Sequence, residues 1–105
     1  MDNIKNVSVE KVVVCNEYGL HIRPASMVAK CASKYKSQIE LEANGQKVDA
    51  RGIFEVLLLA ANKGTVVTVT ANGSDCVEAA RAVASLFKEG FPFENIPEEL
   101  DNPTA

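Results

Sequence analysis

The sequence predicts an α+β domain, one sheet with helices packed on one of its faces, and three observations point there. Two valine-rich alternating stretches, "VSVEKVVVC" and "TVVTVTA", read as strands that lie far apart in the chain. Apolar residues recur at helical spacing in two other stretches. An Asn-Gly pair also separates two short alternating segments, the pattern of a hairpin. The elements then run β-α-β-β-α-β-α around one two-layer core, with no internal repeat and no second domain.

Each element has its own warrant. Residues 7–15 alternate as a strand, and "NEYGL" follows as a loop with Gly19 as its flexible point. From Pro24 to about Tyr35, Ala25, Val28, Ala29 and Ala32 make one helical face, and proline suits a first turn, where its missing N–H costs nothing. Residues 37–43, "SQIELEA", form a strand that turns at Asn44-Gly45 and returns over 46–49. Residues 53–61, "IFEVLLLAA", fit a short helix or a buried strand; Asn62-Lys63-Gly64, which looks like a glycine-capped helix end, favours the helix. Residues 65–71 are a strand, and "NGSD" turns the chain. Asp75 with Glu78 then resembles a capping box, ahead of a helix whose apolar face is Val77, Ala80, Val83, Ala84 and Phe87. Beyond Gly90, Pro92, Pro97 and Pro103 fall in acidic sequence, so the domain is expected over 1–90 and a loosely held acidic tail over 91–105.

Composition narrows the function classes. With 47% hydrophobic and 24% charged residues, the chain of 105 residues has ordinary globular chemistry. No apolar run approaches the roughly 18 residues that span a bilayer, and "MDNIKNVSVEKVVVC" lacks the pattern of a secretory leader. Cys15, Cys31 and Cys76 form no CxxC, and their odd number argues against a disulfide framework, so a cytoplasmic location is expected. Residues 89–105 hold Glu89, Glu94, Glu98, Glu99 and Asp101 with no Lys or Arg, leaving residues 1–88 at +2. That balance is too weak for nucleic-acid binding but suits acidic protein partners.

His21 is the only histidine. A lone histidine in a loop is ordinarily a solvated polar side chain. Here it stands directly before "IRPAS", at a helix entry with unbonded N–H groups and the positive end of the helix dipole. That field disfavours imidazolium, so a neutral, nucleophilic ring is expected. The same N–H groups, with Arg23, make an anion site. A nucleophile beside an anion site suits transfer of a phosphoryl group. Cys31 has no second histidine to activate it and is expected to be structural. No Walker loop, GxGxxG or GxSxG is present.

"GLHIRPASMVAK" resembles the active-site motif of the histidine-containing phosphocarrier protein HPr, and of its nitrogen-branch relative NPr, in the bacterial phosphotransferase system. A second block, "GIFEVLLLAANKGTVVTVTANGSD", resembles the same family at the family's separation, and the likeness covers about residues 7–90. It implies an open-faced sandwich with a four-stranded antiparallel sheet. It also implies that His21 accepts a phosphoryl group on a ring nitrogen from a phosphohistidine of enzyme I, which draws it from phosphoenolpyruvate. His21 would then pass the group to a histidine of an EIIA-type domain. Arg23 would steady the phosphoryl oxygens, Pro24 would set the helix entry, and the backbone amides of Ile22 and Arg23 would complete the anion site. Ile53, Phe54 and Leu57 would belong to the surface that docks enzyme I and EIIA domains. A monomeric relay component rather than an independent enzyme is expected, with no cofactor, no metal, no nucleic acid and no membrane insertion.

One departure from the family is informative. In HPr proteins of many bacteria a serine just before the second helix is phosphorylated by a regulatory kinase; the aligned residue here is Gly52, and residues 48–60 contain no serine. The resemblance therefore implies that this switch is absent. Glu55 stands where a small residue is common in the family. Two other readings compete with a sugar-branch carrier. One is an HPr-fold regulatory module, of the nitrogen-branch type, whose phosphorylation state controls targets by binding. The other is a small-molecule-sensing α/β domain, for which the sequence supplies no cluster of polar pocket residues.

Overall fold

A computed structural model describes residues 6–92. Its elements are β1 (Val7–Val13), α1 (Ile22–Ala32), β2 (Gln38–Ala43), β3 (Gln46–Asp49), α2 (Ile53–Leu58), β4 (Val66–Asn72) and α3 (Cys76–Lys88), in the order the sequence predicts. The strands form one antiparallel sheet in the order β1-β4-β2-β3. β4 is interior, with Val67 opposite Val12 of β1 and Val69 opposite Leu41 of β2.

Alternation decides which face is covered. Val12, Ile39, Leu41, Val67, Val69 and Ala71 point inward and meet Val28 and Ala32 of α1 and Ala80, Val83 and Phe87 of α3. Each large buried aliphatic stabilises the fold by roughly 1.5–3 kcal/mol relative to exposure. Gln38, Glu40, Glu42, Thr68 and Thr70 fall on the other face, which stays uncovered. The result is the open-faced sandwich. α3 lies over β1 and β4, α1 packs beside α3, and α2 packs beside α1.

The hairpin between β2 and β3 has positive φ at both Asn44 (52°) and Gly45 (78°), as the tight turn of an Asn-Gly pair requires. Elsewhere the element ends depart from the sequence reading, each for a local reason. α1 starts two residues early, with His21 as N-cap, so Pro24 occupies the third helical position, still within the turn whose N–H groups lack intrahelical partners. It stops at Ala32 because the Ser33 hydroxyl donates to the Ala29 carbonyl at 2.8 Å and the following amides close tighter turns onto Cys31 and Ala32.

α2 ends at Leu58 rather than at the predicted glycine cap. Ala60 takes the left-handed conformation (φ 50°) instead, and the Asn44 side-chain amide donates to the carbonyls of Leu59 (2.8 Å) and Ala60 (3.3 Å). Gly64 serves the turn into β4. The expected capping box at Asp75 does not form. The Asp75 carboxylate accepts the backbone N–H groups of Lys36 and Ser37, both at 2.9 Å, and the Ser37 hydroxyl at 2.6 Å, so it ties the α1–β2 connection to the start of α3. Val77 is exposed, and Cys76 and Ala79 take its place on the buried face of α3.

The C-terminal end of α3 closes with Gly90 in the left-handed region (φ 73°). The Gly90 N–H donates to Phe87 O, and the Phe91 N–H donates to Leu86 O. Phe91 is fully buried, its ring edge-on to Phe87 at 4.9 Å. The core thus continues one residue past the expected boundary at 90; the acidic tail from residue 93 onward lies outside the described residues.

Candidate functional site

The chain leaves the sheet after β1 and turns back sharply to present His21. Asn16 is buried, and its side-chain amide donates to the Gly19 carbonyl at 2.8 Å, while the Gly19 N–H returns to the Asn16 carbonyl at 3.3 Å. Gly19 has φ 70° and lies so close to the neighbouring connection that a Cβ there would sit 2.6 Å from the Ala61 carbonyl oxygen. Its role is therefore close approach and a left-handed backbone, rather than the flexibility the sequence suggests. The Leu20 N–H donates to that same Ala61 oxygen at 2.9 Å, which pins the loop to the segment after α2.

His21 then adopts extended geometry (φ −89°, ψ −169°) as the N-cap of α1, and its carbonyl accepts the Ala25 N–H at 2.9 Å. The imidazole makes no capping bond to the helix. It is half-buried, with the Tyr18 ring edge-on at 6.2 Å between centroids. Ile22 and Arg23 are the first two helical residues, and proline at the third removes the next donor. Two backbone amides therefore define the entry of α1, and no acidic residue stands in its first turn to compete for them. Arg23 is half-buried and Pro24 buried. One turn of chain thus holds an imidazole, two amides at the positive end of a helix dipole and a guanidinium, a set that can receive a tetrahedral anion.

The predicted docking residues divide by exposure. Phe54 is 76% exposed, whereas Ile53 and Leu57 are half-buried against the core. Near the histidine and on α2, exposed residues that the sequence reading does not assign to docking include Tyr18 at 72%, Leu58 at 64% and Ile22 at 62%. Leu58 follows from helix geometry, four residues after Phe54. Ile22 has no such sign, because its spacing to Ala25 and Ala29 would place it on the buried face; it is exposed because it begins the helix, beyond the reach of the packed neighbours. Asn16 was legible as a turn former three residues before a glycine.

The cysteines are free, as expected. Burial pushes the Cys31 thiol above its ordinary range, only partly offset by Lys34, which suits a packing role. The Cys15 thiol donates to the Phe87 carbonyl at 3.4 Å. Among the described residues no group of three His, Cys, Asp or Glu side chains is arranged to hold a metal, and no helix is long and apolar enough to cross a membrane.

Comparison with known proteins agrees with this geometry. The family model for the PTS HPr component phosphorylation site matches residues 9–89. The phosphocarrier protein HPr of Xylella fastidiosa (strain 9a5c) is 37% identical over 81 residues, which are 77% of this chain and 91% of that protein. The crystal structure of HPr-C-His from Thermoanaerobacter tengcongensis superposes with a TM-score of 0.77 at 35% identity, covering 81% of this chain and 96% of that one. A crystal structure of an HPr dimer from the same organism superposes with a TM-score of 0.64 at 35% identity, covering 87% and 98%.

Proposed function

The chain belongs to the HPr family of phosphocarriers of the bacterial phosphotransferase system, and from that premise we propose that His21 is its transiently phosphorylated residue. A ring nitrogen of His21 attacks the phosphorus of the phosphohistidine on enzyme I. One N–P bond forms as the other breaks, so the phosphoryl group passes between bonds of similar energy and can be given up again. In the second step a histidine of an EIIA-type domain takes the group from His21. The amides of Ile22 and Arg23 and the guanidinium of Arg23 hold the phosphoryl oxygens, and Pro24 sets the helix entry.

The observation that carries this reading is the placement of the single histidine at the N-cap of α1, next to two first-turn amides and with no acidic residue in that turn. Exposed Ile22 on α1 and exposed Phe54 and Leu58 on α2, two helices that pack together, with Ile53 and Leu57 half-buried against the core, support docking near that point. Gly52 offers no hydroxyl before α2, so the carrier has no seryl switch there. In this reading it acts in the cytoplasm, as a monomer.

The test is direct. The protein is incubated with enzyme I and phosphoenolpyruvate, and intact mass is recorded with His21→Ala alongside. An acid-labile phosphoryl adduct on the wild type alone is expected. No adduct on the wild type, or an equal adduct on the variant, defeats the reading.

A further inference from the structure

Glu55 is the only charged side chain between Arg51 and Lys63. It stands exposed on α2 on one flank of the two most outward apolar residues of that helix, Phe54 and Leu58. Its carboxylate folds back toward the helix start and fills the space that a Cβ on Gly52 would need. Glycine at 52 leaves that room, so the carboxylate lies over the helix start beside Phe54 and Leu58. α2 packs on α1, whose entry carries His21 and the exposed Ile22.

A partner that covers Phe54 and Leu58 must also take water away from Glu55. A carboxylate desolvated without a partner is strongly unfavourable, and one met by a cation is not. The apolar strip sets where a partner sits, and the carboxylate sets which partner is tolerated. We propose that Glu55 is a specificity-determining residue for enzyme I, whose docking surface presents an apolar pocket to Phe54 and Leu58 and an Arg or Lys side chain to the Glu55 carboxylate. This rests on the carrier reading above. It runs against the weak positive balance of residues 1–88, which taken alone favours acidic partners.

The experiment measures kcat/KM for phosphorylation by enzyme I of the same source, with phosphoenolpyruvate, at low and high salt. Glu55→Gln keeps the shape and removes the charge; it should lower kcat/KM about 3–10-fold at low salt, with the deficit shrinking at high salt. Glu55→Lys should lose more. Gly52→Ala keeps the charge but displaces the carboxylate, and should fall between wild type and Glu55→Gln. Thermal melts of all three variants show that the domain is intact, and a loss through misfolding would not fade with salt. Equal or faster transfer by Glu55→Lys at low salt overturns the proposal, because enzyme I then presents an acid or nothing at this point. If even the wild type takes no phosphoryl group, the carrier reading falls first and this proposal with it.

Discussion

Gly19→Ala should destabilise the domain by about 2–5 kcal/mol, and the structure shows where that figure comes from. A non-glycine residue held at φ 70° costs roughly 1–2 kcal/mol through its Cβ alone. The added methyl would also lie 2.6 Å from Ala61 O and 2.9 Å from Asn62 Cα, both backbone atoms that cannot swing aside. Ala61 is buried, and its oxygen holds the Leu20 N–H. Either that hydrogen bond is lost, about 0.5–1.5 kcal/mol, or the connection shifts, about 1–3 kcal/mol. Gly45→Ala is the matched control, with φ 78° and nothing within 4 Å of the new Cβ. It should cost only the conformational part, about 1–2 kcal/mol. In urea unfolding, with a slope of about 1–1.5 kcal/mol per molar, the Gly19→Ala midpoint should fall by about 1.3–5 M and that of Gly45→Ala by less, about 0.7–2 M. Because Gly19 lies two residues before His21, its variant should also be phosphorylated more slowly. Equal midpoints for the two variants would refute the argument that close approach to Ala61 fixes this loop.

Asp75→Asn should weaken the domain at neutral pH and matter little in acid. Hydrogen bonds from the Ser37 hydroxyl and from the Lys36 and Ser37 amides hold the carboxyl below the usual range, so its stabilisation is full above about pH 4 and disappears as pH falls through the lowered value. Urea midpoints of wild type and variant between pH 7 and pH 2 should converge toward the acid end; a constant gap contradicts the linkage. Phe91→Ala removes a fully buried ring packed on Phe87 and should cost about 3–5 kcal/mol by the same assay, whereas a residue of a loose tail would cost nothing. Phe54→Ala, at a position 76% exposed, should change stability by less than about 0.5 kcal/mol yet slow phosphorylation by enzyme I, and unchanged transfer would remove Phe54 from the docking surface.

Much of this protein is local chemistry and could be read directly. Alternation in β2 and β4 set both the strands and their buried faces, because side-chain direction in a strand depends only on parity; in β1 it set the strand but not the face, since Val7, Val9 and Val13 are exposed and Ser8 and Glu10 share the parity of the buried Val12. Asn44-Gly45 set the hairpin, because few residues tolerate positive φ twice in succession. His21, Arg23 and Pro24 were legible as one unit because they share a single helix entry, so no long-range contact is needed to bring them together.

What the tertiary structure alone decided involves partners distant in sequence. Nothing local says that β4 must lie between β1 and β2, since that order is made by hydrogen bonds between strands distant in sequence. Asp75 carried a capping pattern, yet three donors from Lys36 and Ser37 turn its carboxylate toward the α1–β2 connection, and it makes no cap bond to α3. Ala60 ends α2 in a conformation that alanine disfavours, because the Asn44 side-chain amide from the β2–β3 hairpin donates to the freed carbonyls. Phe91 reads as tail by composition and is core by position, since the turn at Gly90 folds it back onto Phe87. The sequence alone thus determined that its single histidine stands at a helix entry, and the elements around it; the geometry that pins its loop to Ala61, and the placing of Glu55 over Gly52, came only with the folded chain, where space and hydrogen-bond partners are shared between distant segments.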